Sequence, residues 1–258
     1  DRDLDEIAVE VGEKALNEWG KAEGELLFAK RAPEPRYELW KKQGVLPRNI
    51  DREIVEIMHR THIGVDQDYK NLMKQGTRAA IADGWGGSML ATDLQDILFG
   101  TPYPLASEAN LGVMKEDMVN IVIHGHEPVL SEMIVAVAQK KEMHDYAVSK
   151  GAKGIQLSGI CCTANEILQR HGVPLCGTFL QQELAIITGA CDAMVVDIQC
   201  VFQNLANVAK CFHTKLITTH PMARMEQENV VHIEFDEHYA LEDAKKIVRM
   251  AIDNFQNR

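Results

Sequence analysis

The chain has 258 residues, of which 46% are hydrophobic and 25% charged. This length suits one large domain or two modest ones, and the composition is typical of a soluble globular protein. The net charge of −11 argues against nucleic acid as the main partner, because phosphate contacts need clustered Lys and Arg. No apolar run reaches the roughly 18 to 20 residues of a membrane span, and no charged-then-apolar signal peptide opens the sequence. The expected location is therefore cytoplasmic.

The first 102 residues are predicted to be a helical domain. Pro33, Pro35 and Pro47 are expected to mark loops between helices, and the glycine-rich residues 84–88 to form a tight turn. Apolar residues recur at helical spacing in three stretches: 4–15, 54–58 and 66–82.

Residues 103–258 have a different texture, in which short β-branched runs alternate with longer helical ones. Such alternation implies a parallel sheet covered on both faces. The predicted fold class is α/β, an N-terminal helical segment followed by a Rossmann-like open parallel sheet. The predicted strands are 119–123, 154–157, 193–198, 215–218 and 230–235, and the predicted helices are 130–149, 163–170, 181–188, 201–209 and 241–255.

All six cysteines lie within residues 161–211. A secreted disulfide scaffold would distribute its cysteines through a small domain, so this pattern predicts a reducing compartment. The clustering suggests metal or redox chemistry. Cys176, Cys191 and Cys211 are nevertheless expected to be buried core residues, because free cysteine often behaves as a small hydrophobe.

Histidine and cysteine side chains fall at the ends of the predicted strands. In an open parallel sheet, ligands bind outside the carboxyl ends of the strands, so residues far apart in sequence are expected to converge at one edge. The residues concerned are His124 and His126 after the first strand, Cys161 and Cys162 after the second, Cys200 after the third and His220 after the fourth.

Imidazole and thiolate together suit zinc, copper or an iron–sulfur cluster. Neighbouring side chains diverge, so one of Cys161 and Cys162 would be a ligand while the other supports it. The pair fits equally well two small buried side chains. The usual motifs for a dinucleotide, for a nucleoside triphosphate and for a zinc ribbon are absent from the sequence, which weakens those three readings.

Longer segments resemble the catalytic subunit of anaerobic nickel–iron–sulfur carbon monoxide dehydrogenases, in the style of the acetogen subunit that partners acetyl-CoA synthase. The resemblance covers nearly the whole chain and is very specific. Its segments are MHRTHIGVDQDY (58–69), ADGWGGSM (82–89), DILFGTP (96–102), EANLGVMKEDMVNIVIHGHEPVLSEMI (108–134), GAKGIQLSGICCTANEIL (151–168), FLQQELAIITGACDAMVVDIQC (179–200) and FHTKLITT (212–219).

The resemblance implies reversible oxidation of CO with water to CO2, two protons and two electrons at a Ni–Fe–S centre, the C-cluster. It also implies ligands. His126, with His124 as second choice, and Cys162, with Cys161 as neighbour and alternate, would bind the iron outside the cubane, where His126 and Cys162 are the catalytic residues. Cys200 would bind a cubane iron.

The same resemblance implies a chain that is only the middle portion of a longer subunit. The family's electron-transfer [4Fe–4S] clusters, its remaining C-cluster cysteines and a catalytic lysine have no counterpart here, so the chain alone is expected to be inactive. The implied partners are CO, CO2, water, a second copy of the full subunit, ferredoxin and the acetyl-CoA synthase subunit, with no nucleic acid and no membrane span. The alternative is a catalytically silent Rossmann-like scaffold that binds at most a stray metal.

Overall fold

Amphipathic segments of the first unit form α-helices around a small apolar core. The structure is a computed structural model that describes residues 2–258, and this unit ends at Thr101. The core is centred on Leu26, Ile50 and Leu90. The helices are α1 (Leu4–Trp19), α2 (Glu34–Gln43), α3 (Ile50–Arg60), α4 (Tyr69–Ala82) and α5 (Met89–Phe99).

Two local predictions for this unit are wrong. Pro33 and Pro47 lie outside the helices as predicted, but Pro35 lies within α2. Proline is tolerated in a first helical turn, where its missing N–H would have no intrahelical partner. The glycine-rich segment is not a tight turn: Asp83–Ser88 forms a wide π-helical turn between α4 and α5. A Cβ on Gly86 would lie 2.8 Å from the Ile50 side chain, so this glycine permits close packing rather than a reversal.

The second unit, Pro102–Arg258, is an α/β sheet structure. Its six strands are all parallel and lie in the order β3-β2-β1-β4-β5-β6, the doubly wound order of a Rossmann-type sheet. The predicted fold class is confirmed. The strands are β1 (Val119–His124), β2 (Ile155–Ile160), β3 (Leu175–Gly177), β4 (Ala193–Val196), β5 (Lys215–Thr218) and β6 (Val230–His232); the helices are α6 (Pro128–Ala138), α7 (Lys141–Ser149), α8 (Cys161–His171), α9 (Gln182–Ile187), α10 (Leu205–Ala209) and α11 (Ala240–Asn254).

Both faces of the sheet are covered, as its apolar strands require. In β1 all six residues are buried. Val119, Ile121 and Ile123 point into a core that includes residues of α6, α7 and α11. Val122 points into a second core that includes residues of α9 and α10. Because side chains alternate along a strand, His124 lies on the same face as Val122.

Several predicted boundaries differ from the structure. Strand β3 was not predicted, since three residues give too short a pattern. The single helix predicted over 130–149 is two helices, α6 and α7, interrupted at Gln139 and Lys140. The strands predicted at 193–198 and 230–235 end at Val196 and His232, and the helix predicted from residue 201 begins at Leu205. Because β4 ends at Val196, residues 197–200 lie in a loop, which contributes to the site.

Within residues 2–258, no helix is both long enough and apolar enough to cross a membrane.

Candidate metal centre

The candidate site lies at the carboxyl edge of the sheet, between the neighbouring strands β1 and β4. From β1 the chain adds strands first on one side and then, from β4 onward, on the other. This switch point is where doubly wound sheets bind their ligands. The loop after β1 carries His126, the loop after β4 carries Cys200, and α8 begins directly after β2 with Cys161 and Cys162.

His126 is held at both its backbone and its ring. Its N–H donates to the Asp197 carboxylate at 2.6 Å, and its Nδ1 lies 3.0 Å from the Ile198 carbonyl oxygen. A carbonyl can only accept, so Nδ1 carries the proton. In the neutral ring Nε2 is then unprotonated, with its lone pair available to a metal. Such a second-sphere hydrogen bond commonly fixes the tautomer and orientation of a ligating histidine.

Asp197 is the residue that joins the two loops, and the sequence alone did not single it out. The residue is 2% exposed. Burial raises its pKa, whereas the hydrogen bonds from the backbone N–H groups of His126, Ile198 and Glu127 act in the opposite direction. The only signal in the sequence was an aspartate directly after an apolar run.

Gly125 makes room for that carboxylate. Its φ is +143°, and a Cβ there would lie 1.8 Å from Asp197 Oδ1. A side chain at position 125 would therefore displace either the carboxylate or the loop that carries His126.

The cysteine-bearing segments have unusual backbone geometry. Across residues 2–258, the non-glycine residues with positive φ are Cys161 (69°), Gln199 (63°) and Cys200 (55°). Left-handed geometry at such residues costs on the order of 1–3 kcal/mol each and is concentrated at functional sites. Two of these three strained positions, Cys161 and Cys200, are residues selected on chemical grounds, and the third directly precedes Cys200.

The three site thiols interact with one another. Burial, followed by the charge and hydrogen bonding of Cys200 and the charges of Cys162 and Asp197, raises the pKa of Cys161 to about 12. Burial and the charge of Cys200 also raise the pKa of Cys162. The raised pKa values favour the protonated thiols, whereas a bound metal would favour the thiolates, because positive charge stabilises them.

His124, the second choice as a histidine ligand, is in a different environment. It is fully buried, its Nε2 lies 3.1 Å from Gln182 Oε1, and burial lowers its pKa. Gln182 is a further residue that sequence reasoning missed. It is also fully buried and donates to the Cys200 carbonyl at 2.9 Å.

The remaining histidine and cysteines have other environments. His220 Nδ1 accepts the Met222 N–H at 3.2 Å and so caps a short turn after β5. Cys176 and Cys191 are buried, as predicted. The prediction that Cys211 is buried is wrong, because it is exposed: it follows the short helix α10 rather than lying within it.

The donors do not form a closed site for a single ion. Among the residues that the structure describes, no three His, Cys, Asp or Glu side chains are grouped as the ligands of one metal ion. A cavity of about 370 Å³ borders Cys200 and is lined further by residues such as Gln199, Arg224 and Met225. Thiol and imidazole are donor types that zinc, copper and iron–sulfur centres all take.

The fold and the site define a class of protein: a doubly wound α/β protein with imidazole and thiol side chains at its switch point. The profile of the Prismane/CO dehydrogenase family matches residues 1–258, and the chain belongs to this family. The resemblance noted in the sequence is thereby confirmed.

Relatives with this similarity are named as carbon monoxide dehydrogenases. Carbon monoxide dehydrogenase 1 of Methanosarcina acetivorans is 54% identical over the whole chain and 41% of its own length. The carbon monoxide dehydrogenase/acetyl-CoA synthase subunit beta of Moorella thermoacetica is 47% identical over 98% of the chain and 37% of its own length. The as-isolated, nickel-free structure of carbon monoxide dehydrogenase from Thermococcus sp. AM4 superimposes with a TM-score of 0.92, at 55% identity, over 98% of this chain and 40% of that one. The chain thus spans about two fifths of the length of these relatives.

Proposed function

We propose that the chain forms part of a carbon monoxide dehydrogenase that catalyses CO + H2O ⇌ CO2 + 2 H⁺ + 2 e⁻. The observation that carries the proposal is the 54% identity to a carbon monoxide dehydrogenase over all 258 residues. The geometry of His126 supports it, because a ring whose Nδ1–H is engaged by a carbonyl has its Nε2 available for a metal.

In this proposal His126, Cys162 and Cys200 are ligands of a Ni–Fe–S cluster, the C-cluster, with Cys161 as alternate. The donor types fit the group, because iron and nickel in such clusters take thiolate and imidazole. When bound, the cluster would supply the metal chemistry that activates CO and water and takes up two electrons. His126 and Cys162 would hold the iron outside the cubane, and Cys200 an iron within it.

The chain's own residues would orient these ligands. The Ile198 carbonyl and the Asp197 carboxylate hold the His126 ring and backbone. With Nδ1–H directed at the Ile198 carbonyl, the neutral ring presents Nε2 as the atom available to a metal. The raised pKa values of Cys161 and Cys162 mean that metal binding would release protons from these thiols.

Further parts of the enzyme are needed for turnover in this proposal. The other cluster ligands, the catalytic lysine and the electron-transferring [4Fe–4S] clusters would come from segments outside these 258 residues, with ferredoxin as electron acceptor. A second copy of the full subunit is a proposed partner. So is acetyl-CoA synthase, which the name of the Moorella relative includes. The 258-residue chain alone would then bind metal without sustained turnover.

The test is anaerobic reconstitution with iron, sulfide and nickel, followed by metal analysis and CO-dependent viologen reduction. It is applied both to this chain and to a complete subunit that contains it. In the complete subunit, Cys200→Ala should abolish turnover and lower nickel and iron content, while Cys211→Ala, at an exposed thiol after α10, should leave both unchanged.

Three outcomes would count against the proposal. Full activity in the Cys200→Ala subunit would remove Cys200 from the ligand set. Sustained turnover by the 258-residue chain alone would show that the other segments are dispensable. A complete subunit with neither metal nor turnover would favour the silent scaffold.

A further inference from the structure

The Gln182 side chain connects three separate segments around the site. It is the first residue of α9 and is fully buried. Its Nε2 donates to the carbonyls of Phe179 at 2.6 Å and Cys200 at 2.9 Å. Its Oε1 accepts the Phe202 N–H at 2.9 Å and lies 3.1 Å from His124 Nε2. Both N–H groups and both lone pairs of the side-chain amide therefore have partners.

The chemistry of these partners fixes the orientation of the amide. Two partners are carbonyls, which only accept, and one is a backbone N–H, which only donates. The amide nitrogen must therefore face Phe179 and Cys200, and the oxygen must face Phe202. It follows that His124 donates through Nε2–H, so the neutral His124 ring serves as a donor to Gln182.

Two of the Gln182 hydrogen bonds, to the Cys200 carbonyl and the Phe202 N–H, hold a strained loop. Gln199 and Cys200 both have left-handed φ values, which a free loop would relax by moving toward negative φ. The amide of Gln182 donates to the carbonyl of Cys200 and accepts from the N–H of Phe202, two residues further on. The strained conformation thus has an anchor on the carboxyl side of the left-handed pair.

The thiols of Cys161 and Cys200 are close enough to interact by hydrogen bonding. We propose that Gln182 is a positioning residue, which keeps the Cys200 thiol near Cys161 by fixing the carbonyl of Cys200 and the N–H of Phe202. Its own contact with His124 ties this anchor to the end of β1. The inference rests on the proposed function only in treating Cys200 as a ligand. The placement of the thiol is a property of the metal-free protein and is tested there.

The test measures whether Cys200 and Cys161 can be joined by a short bifunctional alkylating reagent. Metal-free protein is treated anaerobically, digested, and the linked peptides are quantified by mass spectrometry. The variants are Gln182→Glu, which keeps the shape but turns acceptor oxygens toward two carbonyls, and Gln182→Met, which removes the hydrogen bonds. Losing buried hydrogen bonds on a strained loop should lower the linked fraction by roughly fivefold or more.

The chain offers its own controls. Cys176 and Cys191 are buried and report unfolding if they become labelled, while the exposed Cys211 reports reagent activity. Gln181→Glu is the matched variant, because the Gln181 side chain caps Thr178 and Glu serves that capping position equally well. Gln181→Glu should retain the linked fraction of the unsubstituted protein.

Each outcome bears on the proposal. A fivefold loss in both Gln182 variants, with Cys176 and Cys191 protected, supports it. An unchanged linked fraction, or no linkage in the unsubstituted protein, overturns it, as does labelling of Cys176 and Cys191 in both variants, which would make Gln182 a general core residue. Normal linkage in the metal-free protein, together with neither metal nor viologen turnover in the complete reconstituted subunit, would instead count against the proposed function.

Discussion

The carboxylate of Asp197 accepts a hydrogen bond from the backbone N–H of His126 at 2.6 Å, across 71 positions of sequence. The two residues follow β1 and β4, the neighbouring strands at the switch point. The contact is available only because the intervening Gly125 lacks a side chain. The position of His126 therefore depends on a carboxylate contributed by another loop.

Asp197→Ala should destabilise the protein by about 3 kcal/mol, because it leaves buried N–H donors of His126, Ile198 and Glu127 without an acceptor. Asp197→Asn retains one acceptor oxygen and should lose less. Denaturant unfolding measures both changes. The surface variant Asp117→Asn, which breaks an exposed pair with Lys153, should change the unfolding midpoint little. Equal effects of Asp197→Ala and Asp117→Asn would show that the loop junction does not depend on this carboxylate.

Gly125→Ala should destabilise by more than the roughly 1–2 kcal/mol that positive φ alone costs, because its Cβ would overlap Asp197 Oδ1. Gly151→Ala is the matched control. Its φ is also positive, at 96°, but nothing lies within 4 Å of a Cβ there. The difference between the two variants in unfolding free energy isolates the steric contribution. Indistinguishable values would mean that the loop yields without cost.

The architecture of the second unit could be predicted from sequence because its strands are buried on both faces. Alternation of apolar runs with helical periodicity defined the parallel sheet, and the residues at strand ends followed from that topology. The short β3 escaped because three residues carry too little pattern. In the first unit, Pro35 was interpreted as a loop signal, although proline is equally compatible with a first helical turn.

The supporting side chains of the site could not be predicted, for a physical reason. Asp197 and Gln182 act through contacts with residues distant in sequence, and a single carboxylate or amide carries no local pattern that reveals such a contact. The left-handed backbone at Cys161 and Cys200 was likewise invisible, because cysteine has no special preference for positive φ. The ligand assignments themselves came from the family resemblance and stay predictions.

In the first unit, Glu53→Gln should destabilise by about 3 kcal/mol, since it breaks a buried charge pair. Glu53 is fully buried and accepts two hydrogen bonds from the Arg48 side chain, at 2.8 and 3.0 Å. Burial alone would raise its pKa, but the bonds from Arg48 and Gln75 hold it below the ordinary value of 4.5. The comparison variant is Glu10→Gln, at an exposed helix pair, where solvent screening should keep the loss small.

The pH dependence of that pair has a definite sign. Because the folded-state pKa of Glu53 is depressed, its contribution is fully present above the unfolded-state pKa and is lost as the pH falls through the folded one. As the pH is lowered below the ordinary glutamate pKa of 4.5, the denaturant concentration at the unfolding midpoint should therefore decrease in the unsubstituted protein, and decrease less in Glu53→Gln. Parallel curves for the two proteins would contradict this assignment.

The last prediction separates the two adjacent cysteines. Cys162 is exposed, whereas Cys161 is half-buried with left-handed backbone geometry and its pKa raised to about 12. If Cys162 is the ligand, Cys162→Ser in the complete reconstituted subunit should lower bound iron and nickel and reduce CO-dependent viologen turnover by on the order of a hundredfold or more, since loss of even an outer-shell partner of a ligand costs up to about that much. Cys161→Ser should keep the metal content and lose activity moderately, because it alters only the neighbour of the ligand. Cys211→Ser should match the unsubstituted subunit in both measurements. The reverse order, with Cys161→Ser the more damaging for metal content, would assign the ligand to Cys161 and make the left-handed residue the one that binds iron.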